Sequence, residues 1–195
     1  MDYITLFRAT PETRSTTDKI VLHHTAGMGS IQANHQSHLN NGWHGIGYNY
    51  QVNIDGSIWQ GRPVDAVGAH TLGHNTTSVG IAAQGNFHTQ LQRMSDAQFN
   101  SIMWLIHYIR FTYGMDLPIY GHRDLGATAC PGVFFPLAEF RGGRFRGNIT
   151  VTFRYAPVLP WYYLHMHEAT NSNRFERLPD GSKRWLELLP PPNHR

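Results

Sequence analysis

The chain has 195 residues, of which 41% are hydrophobic and 15% are charged, and this length accommodates one domain with a small appendage. No apolar run approaches the roughly 20 residues of a membrane span, and the first residues lack a signal-peptide pattern, so we expect a soluble product made in the cytoplasm. The formal net charge of +3 is unevenly divided, because residues 1–140 carry 7 basic and 9 acidic side chains whereas residues 141–195 carry 9 and 4.

The first third of the chain predicts a strand, a helix and a hairpin. Residues 18–24 form a short apolar run with β-branched residues that ends in two histidines, which is typical of a buried strand. Ser30 is a helix cap for a segment that ends near Asn41. Alternating residues at 48–54, an Asp-Gly turn and the segment 57–60 predict two antiparallel strands.

The middle of the chain adds strands and the longest helix. After a loop rich in glycine and histidine, residues 79–84 predict another buried strand. Ser95 and Gln98 have the spacing of a capping box before a helix that runs to about Tyr113. Residues 119–122 predict a short strand. We therefore expect an α/β fold with a central mixed β-sheet flanked by α-helices.

The basic end of the chain predicts a separate unit. Residues 148–155 alternate strictly between apolar and polar, and residues 161–167 and 183–188 are also typical of strands, with a turn at 179–181 before the last. The glycine-containing segment 141–144 is the expected linker. We predict two domains, residues 1–142 and a small basic all-β module at 143–195 that docks on the first.

Three side chains that can bind a metal ion are spread over the chain. Cys130 is the only cysteine and cannot form an internal disulfide, which leaves packing, nucleophilic chemistry or metal binding. His122 lies eight residues before it, and His23 and His24 end the first predicted strand. Two imidazoles and one thiolate make a zinc site with a fourth position open to water, as in catalytic zinc. Periodicity does not choose between His23 and His24, and a structural cysteine with unrelated histidines is the alternative.

Five short motifs occur in one order along the chain. They are Val21–Ala26 (VLHHTA), Trp43–Asn49 (WHGIGYN), Val67–Thr71 (VGAHT), Ser78–Ile81 with Gly85–Phe87 (SVGI and GNF), and Gly121–Asp124 with Cys130–Gly132 (GHRD and CPG). The series resembles the type 2 N-acetylmuramoyl-L-alanine amidases, the family of small phage endolysins and animal peptidoglycan recognition proteins. The resemblance covers roughly residues 15–140.

The resemblance implies a zinc ion held by His23, His122 and Cys130, and it selects the first histidine of the adjacent pair. It also implies a peptidoglycan hydrolase, because bound zinc lowers the pKa of a water and polarises the scissile amide carbonyl. His24 is then expected to pack behind the sheet or to support the ligands.

Two further catalytic residues follow from the resemblance. Tyr48 matches a tyrosine that the family places beside the metal, where its phenol can bond the water or the oxyanion. Thr128 stands where some phage relatives have lysine and the catalytic recognition proteins have threonine, so it offers a hydroxyl and no charge. Ala82 takes the place of a glutamate that acts as a general base in some bacterial relatives. We therefore expect zinc and Tyr48 to dominate without a carboxylate base.

Four loop residues are expected to line the substrate groove. The resemblance places Trp43, His44, His70 and Asn75 there, where the stem peptide and sugar offer hydrogen-bond partners and an apolar face. The alternative for the loop histidines is simple exposure to solvent.

The sequence as a whole predicts a zinc-dependent amidase that cuts the amide between N-acetylmuramic acid and L-alanine. A phage or prophage endolysin that reaches the bacterial wall after release is the expected setting. The alternative is a recognition protein that binds peptidoglycan without cleaving it, but binding-only members typically lack the cysteine ligand. We expect a monomer whose basic module binds an anionic wall polymer, and no nucleic-acid or membrane partner.

Overall fold

The computed structural model describes residues 7–88 and 93–147, together with the backbone of three short strands at 152–153, 175–177 and 183–185. The predicted strand at 161–167 and the turn at 179–181 lie outside these residues. In chain order the elements are β1 (Lys19–His24), α1 (Ile31–Asn40), β2 (Tyr50–Val52), β3 (Ser57–Gln60), β4 (Ser78–Ala83), α2 (Asp96–Tyr113), β5 (Ile119–Gly121), a 3-10 turn (His122–Asp124), α3 (Leu137–Gly142), β6 (Thr152–Phe153), β7 (Phe175–Arg177) and β8 (Lys183–Trp185).

The main sheet has six strands in the order β5-β1-β4-β2-β3-β6. β1 pairs in parallel with both β4 and β5, and β2 is parallel to β4, whereas β2 and β3 form the predicted antiparallel hairpin. The sheet is therefore mixed, and the predicted α/β fold class is confirmed.

Strand β1 lies inside the sheet between two parallel neighbours. Ile20, Val21 and Leu22 are completely buried, although successive residues of a strand point to opposite faces. Both faces of β1 are therefore covered, which explains why the sequence shows a continuous apolar run instead of an alternating one.

Helix α2 provides much of the apolar surface that covers the sheet. Its buried residues include Phe99, Ile102 and Ile106, which belong to the same hydrophobic cluster as the strands. Ser95 caps the helix, because its hydroxyl accepts a hydrogen bond from the Gln98 backbone at 3.0 Å. The second half of the predicted capping box is different: the buried Gln98 side chain donates to carbonyls of Val52 and Gln84 on the sheet.

Helix α1 follows the prediction from its caps. It begins at Ile31 after Ser30, whose hydroxyl accepts from the Ala33 backbone at 3.2 Å, and it ends at Asn40. The segment that contains Tyr48 follows this helix in the chain.

Helix α3 was not predicted, and it includes the first residues of the segment 141–144 that was expected to be a linker. Arg141 and Gly142 are the last residues of this helix, and Gly143 ends it in the left-handed conformation with φ of 70°. Arg141 pairs with Asp124, and Phe145 packs against the core. The segment 141–144 is therefore a helix end with contacts to the main fold.

The end of the chain contributes three short described strands. β6 pairs in parallel with β3 at the edge of the main sheet, and β7 pairs with β8 in antiparallel orientation. The two-domain division at residue 142 stays a prediction. Within residues 7–88 and 93–147, no helix combines the length and apolar character needed to cross a membrane.

Candidate active site

The carboxyl ends of two parallel strands bring the two predicted histidine ligands together. Leu22 of β1 is in register with Gly121 of β5, so the next residues, His23 near the end of β1 and His122 just after β5, lie at the same level of one sheet edge. Parallel strands end at one edge, which is where open α/β sheets commonly bind ligands. Cys130 reaches this edge from the loop after the 3-10 turn, which is held by a hydrogen bond from Arg123 N to Cys130 O at 2.8 Å.

His23, His122 and Cys130 form the single metal-binding group of His, Cys, Asp or Glu side chains found among the described residues. Their ligand atoms lie within 4.8 Å of one another. His23 Nδ1 is 3.6 Å from Cys130 Sγ, and the rings of His23 and His122 have centroids 4.7 Å apart.

This donor set fits a zinc ion. In a tetrahedral site an imidazole nitrogen lies about 2.0 Å and a thiolate about 2.3 Å from zinc, which places the two donors about 3.6 Å apart. The His23–Cys130 separation has this value, and all three ligand atoms lie within 4.8 Å of one another, so small side-chain movements bring them to zinc-binding distances. Three donors of this kind leave a fourth position for water, in agreement with a catalytic zinc site.

Burial sets the protonation of the three side chains without metal. Desolvation holds the pKa of His23 well below its usual range, and the neighbouring His70 and His122 lower it further. Burial also lowers the pKa of His122. Both imidazoles are thus neutral near pH 7 and have a lone pair for a metal. Burial raises the pKa of the Cys130 thiol to about 11, so this group must lose a proton when it binds zinc.

His24, the second histidine of the pair, is not part of the metal-binding group and has a packing role. It is buried, and its Nδ1 accepts a hydrogen bond from the Phe87 backbone at 3.1 Å. His24 thereby ties the end of β1 to the loop after β4, as expected for a packing role.

Tyr48 lies beside the cluster. Its ring centroid is 5.3 Å from that of His23, and the side chain is half-buried. Burial, followed by the nearby Cys130, raises the pKa of its phenol. The hydroxyl therefore keeps its proton and can act as a hydrogen-bond donor.

Helix α1 holds the segment that presents Tyr48. His35 Nδ1 accepts from the Ile46 backbone at 3.2 Å, and His38 Nδ1 accepts from the Gly47 backbone at 2.9 Å. Their spacing of three residues on one helix face is the sequence signal for this paired role. These two histidines therefore position the loop that carries Tyr48.

Two buried arginines, which sequence reasoning missed, fix the next loop. Arg62 donates to the carbonyls of Ile46 and Val67, each at 2.7 Å. Arg14 donates to the carbonyls of Val64 and Ala66. Because these partners are backbone carbonyls, no acidic residue in the sequence marks the interaction.

The remaining predicted catalytic residue, Thr128, is exposed next to Cys130. Its hydroxyl accepts a hydrogen bond from the Cys130 backbone at 3.2 Å, which orders the turn carrying the thiol. Asp124 is part of a bonded turn, because its carboxylate accepts from the Gly121 backbone and pairs with Arg141.

The four predicted groove residues occupy different environments. Trp43 is 41% exposed and contacts the His38 ring, and His44 is exposed. Asn75 is half-buried, and its Oδ1 accepts from the His70 and Thr71 backbones. His70 is buried next to His23. Their contact with a substrate stays a prediction.

Fold and site together define a mixed α/β protein with a His-His-Cys group at the carboxyl edge of its sheet. The sequence profile described as N-acetylmuramoyl-L-alanine amidase matches residues 13–133. The chain therefore belongs to the type 2 N-acetylmuramoyl-L-alanine amidase family, as the motifs predicted.

Individual relatives include both recognition proteins and endolysins. Peptidoglycan-recognition protein SC2 of Drosophila melanogaster is 35% identical over 126 residues, which are 57% of this chain and 66% of that protein. The endolysin of Enterobacteria phage K11 is 33% identical over 99 residues, which are 49% of this chain and 65% of that protein. The chain thus spans just under two thirds of the length of these relatives.

A solved structure shows the same fold. N-acetylmuramoyl-L-alanine amidase LysC from Clostridium intestinale URNW is similar with a TM-score of 0.66 and 33% sequence identity, covering 70% of this chain and 90% of that one.

Proposed function

We propose that this chain is a zinc-dependent amidase that hydrolyses the bond between N-acetylmuramic acid and L-alanine in peptidoglycan. The observation that carries the proposal is the convergence of His23, His122 and Cys130 at one edge of the sheet, with Tyr48 beside them. Membership of the amidase family supports the same reaction and substrate class.

The three proposed ligands would hold the zinc ion. Bound zinc supplies a Lewis acid that activates a water and polarises the scissile carbonyl. His23 and His122 enter this role neutral, since their pKa values are lowered by burial, and Cys130 contributes the negative charge of its thiolate.

Tyr48 is proposed to stabilise the oxyanion. During hydrolysis the water oxygen bonds to the lactyl carbonyl carbon, the carbon–nitrogen bond breaks, and a proton passes to the departing L-alanine amine. The phenol of Tyr48 donates a hydrogen bond to the carbonyl oxygen while that oxygen carries negative charge. The raised pKa of this phenol suits a donor and not a proton-accepting base.

No carboxylate is proposed as general base. Ala82, which is in register with His23 on the neighbouring strand, has no group for proton transfer. Thr128 is proposed to assist through its hydroxyl by ordering the backbone at Cys130.

The setting we propose is a phage or prophage endolysin, supported by the similarity to the K11 phage endolysin. The second candidate is a recognition protein that binds peptidoglycan without hydrolysis, supported by the similarity to recognition protein SC2. Both candidates bind the same polymer, and they differ in whether a bond is broken.

An assay for new L-alanine amino groups released from purified peptidoglycan distinguishes the amidase from the recognition protein. We expect release by the native chain, loss of release with a chelator, and recovery on adding zinc. Cys130→Ser should bind the polymer without releasing amino groups. Tight binding of the native chain in zinc buffer with no new amino groups would favour the recognition protein.

A further inference from the structure

We infer that His70 is a positioning residue for the proposed zinc ligand His23, holding it in the tautomer whose Nδ1 faces Cys130. This inference rests on the proposed function and adds a named support for the metal centre. His70 comes from the loop before β4, 47 residues after His23 in the chain.

The two nitrogens of His23 face different partners. Nδ1 is 3.6 Å from Cys130 Sγ, and Nε2 is 3.1 Å from His70 Nδ1. A neutral imidazole carries one hydrogen, so the nitrogen that binds a metal must be the unprotonated one and the other must donate. His70 Nδ1 is placed to accept the Nε2 hydrogen, which leaves the lone pair of His23 Nδ1 directed at the metal position.

The space around the His70 ring is provided by two glycines. A Cβ atom at Gly68 or Gly80 would lie closer than 3.0 Å to the ring. Any other residue at either position would therefore displace the imidazole. These glycines belong to two separate motifs of the sequence, VGAHT and SVGI, so both motifs serve one side chain.

The backbone that carries His70 is fixed as well. Asn75 Oδ1 accepts from the His70 and Thr71 amides at 2.8 and 2.9 Å. The Thr71 hydroxyl lies 3.0 Å from His70 Nδ1 and 3.4 Å from His23 Nε2, which closes a triangle of polar groups behind the ligand. Asn75 thus holds the backbone of His70, while Thr71 and His23 lie at hydrogen-bonding distance from its ring.

Burial keeps His70 out of contact with substrate. With 7% of its surface exposed, the side chain lies behind His23 and offers little area to a substrate.

Two polar replacements of His70 distinguish positioning from bulk packing. In His70→Asn the amide lies at the distance of Nδ1 from Cβ, whereas in His70→Gln it reaches one bond further, towards the position of Nε2. We expect zinc affinity, measured by competition with a chelator, to stay within about threefold for His70→Asn and to fall about 10- to 100-fold for His70→Gln. The absorption spectrum of the Co²⁺-loaded protein should change only for His70→Gln.

A glycine variant tests the same point with His70 intact. Gly80→Ala should displace the ring and weaken zinc binding, and Gly142→Ala, where an added Cβ meets nothing within 4 Å, is the matched control. Thermal unfolding of the metal-free variants shows which of them fold.

The outcomes separate this inference from the proposed function. A native chain that binds no zinc and releases no amino groups would refute the function itself. Equal zinc affinities of the folded His70→Asn and His70→Gln variants, with a native chain that binds zinc, would overturn the inference alone. A raised KM in both variants with unchanged zinc affinity would instead assign His70 to the substrate.

Discussion

The ring of Tyr48 lies 5.3 Å from that of the proposed ligand His23, and its phenol has one hydrogen to donate. In Tyr48→Phe the ring and its contact with His23 are kept while the donor is lost, so the oxyanion loses one stabilising bond. We expect kcat to fall about 100- to 1000-fold while zinc content stays unchanged. Initial rates and metal analysis measure the two effects.

Tyr120→Phe is the control for this substitution, because it removes a phenol hydroxyl from strand β5 outside the proposed site. Its rate should equal that of the native chain. A Tyr48→Phe variant as fast as the native chain would remove Tyr48 from the mechanism.

A second prediction at the residue scale concerns His38, which holds the loop before Tyr48. Burial, with the charges of Arg62 and His35, lowers the pKa of His38 from 6.5 to about 4. The unfolded chain therefore binds the proton more tightly than the folded chain. The contribution of His38 to the free energy of unfolding is therefore fully present above pH 6.5 and is lost as the pH falls towards 4.

Urea unfolding with a chelator at pH 7, 6 and 5 measures this effect. The contribution of His38 to the free energy of unfolding should decrease by at most about 1.4 kcal/mol per pH unit. His38→Asn should show a shallower dependence on pH than the native chain. Parallel curves for the two proteins would contradict the assignment.

At the scale of elements, the segment between β3 and β4 depends on buried arginine–carbonyl bonds. Arg62 bridges two carbonyls that are far apart in the chain, and a lysine has neither the planar geometry nor the number of donors to replace it. We expect Arg62→Lys to lower the free energy of unfolding by about 1.5–3 kcal/mol. Arg93→Lys at an exposed position should change it by less than about 0.5 kcal/mol. Equal stability of the two variants in urea would show that the bridge contributes nothing.

Elements with a strong local pattern were predictable from the sequence. β1 is an unbroken apolar run, α2 has a cap and a long apolar stripe, and the β2–β3 hairpin has an Asp-Gly turn. α3 was missed because it has six residues and no side-chain hydrogen bond at its N-cap. It is stabilised instead by burial of Leu137 and Phe140, which only the folded chain provides.

The residues of the site were predictable where their chemistry or a local motif marks them, but their spatial arrangement was not. Residue chemistry suggested His122 and Cys130, and the family resemblance selected His23 over His24. The order of the strands, which determines that His23 and His122 lie at one edge of the sheet, depends on pairings between segments that are far apart in the chain. The supports of the site also depend on tertiary contacts, as with His70 beneath His23 and His38 behind the Tyr48 loop.

At the scale of the whole molecule, the excess of basic charge lies in the last part of the chain. Residues 141–195 carry 9 basic and 4 acidic side chains, and we propose that they bind an anionic wall polymer. Phe145 packs on the core, and the backbone N–H and carbonyl of Arg146 bond to the buried side-chain amide of Asn100. A truncation that tests this role should therefore begin after Gly147.

Removing residues 148–195 should weaken binding to intact cell walls and make it less sensitive to salt, because salt screens the attraction between basic side chains and an anionic polymer. Hydrolysis of a small soluble muropeptide should be unchanged. Co-sedimentation with walls at low and high salt measures the first effect. Equal wall binding with and without the segment would eliminate the proposed role.

The central claim is that His23, His122 and Cys130, which are far apart in the sequence, hold one zinc ion and leave its fourth position for water. X-ray absorption at the zinc edge of the purified, zinc-loaded chain tests it directly. We predict one zinc per chain with a single sulfur ligand at about 2.3 Å and nitrogen or oxygen ligands at about 2.0–2.1 Å, and loss of the sulfur shell in Cys130→Ser. A native spectrum without sulfur, or with the metal unaffected by this substitution, would contradict the claim.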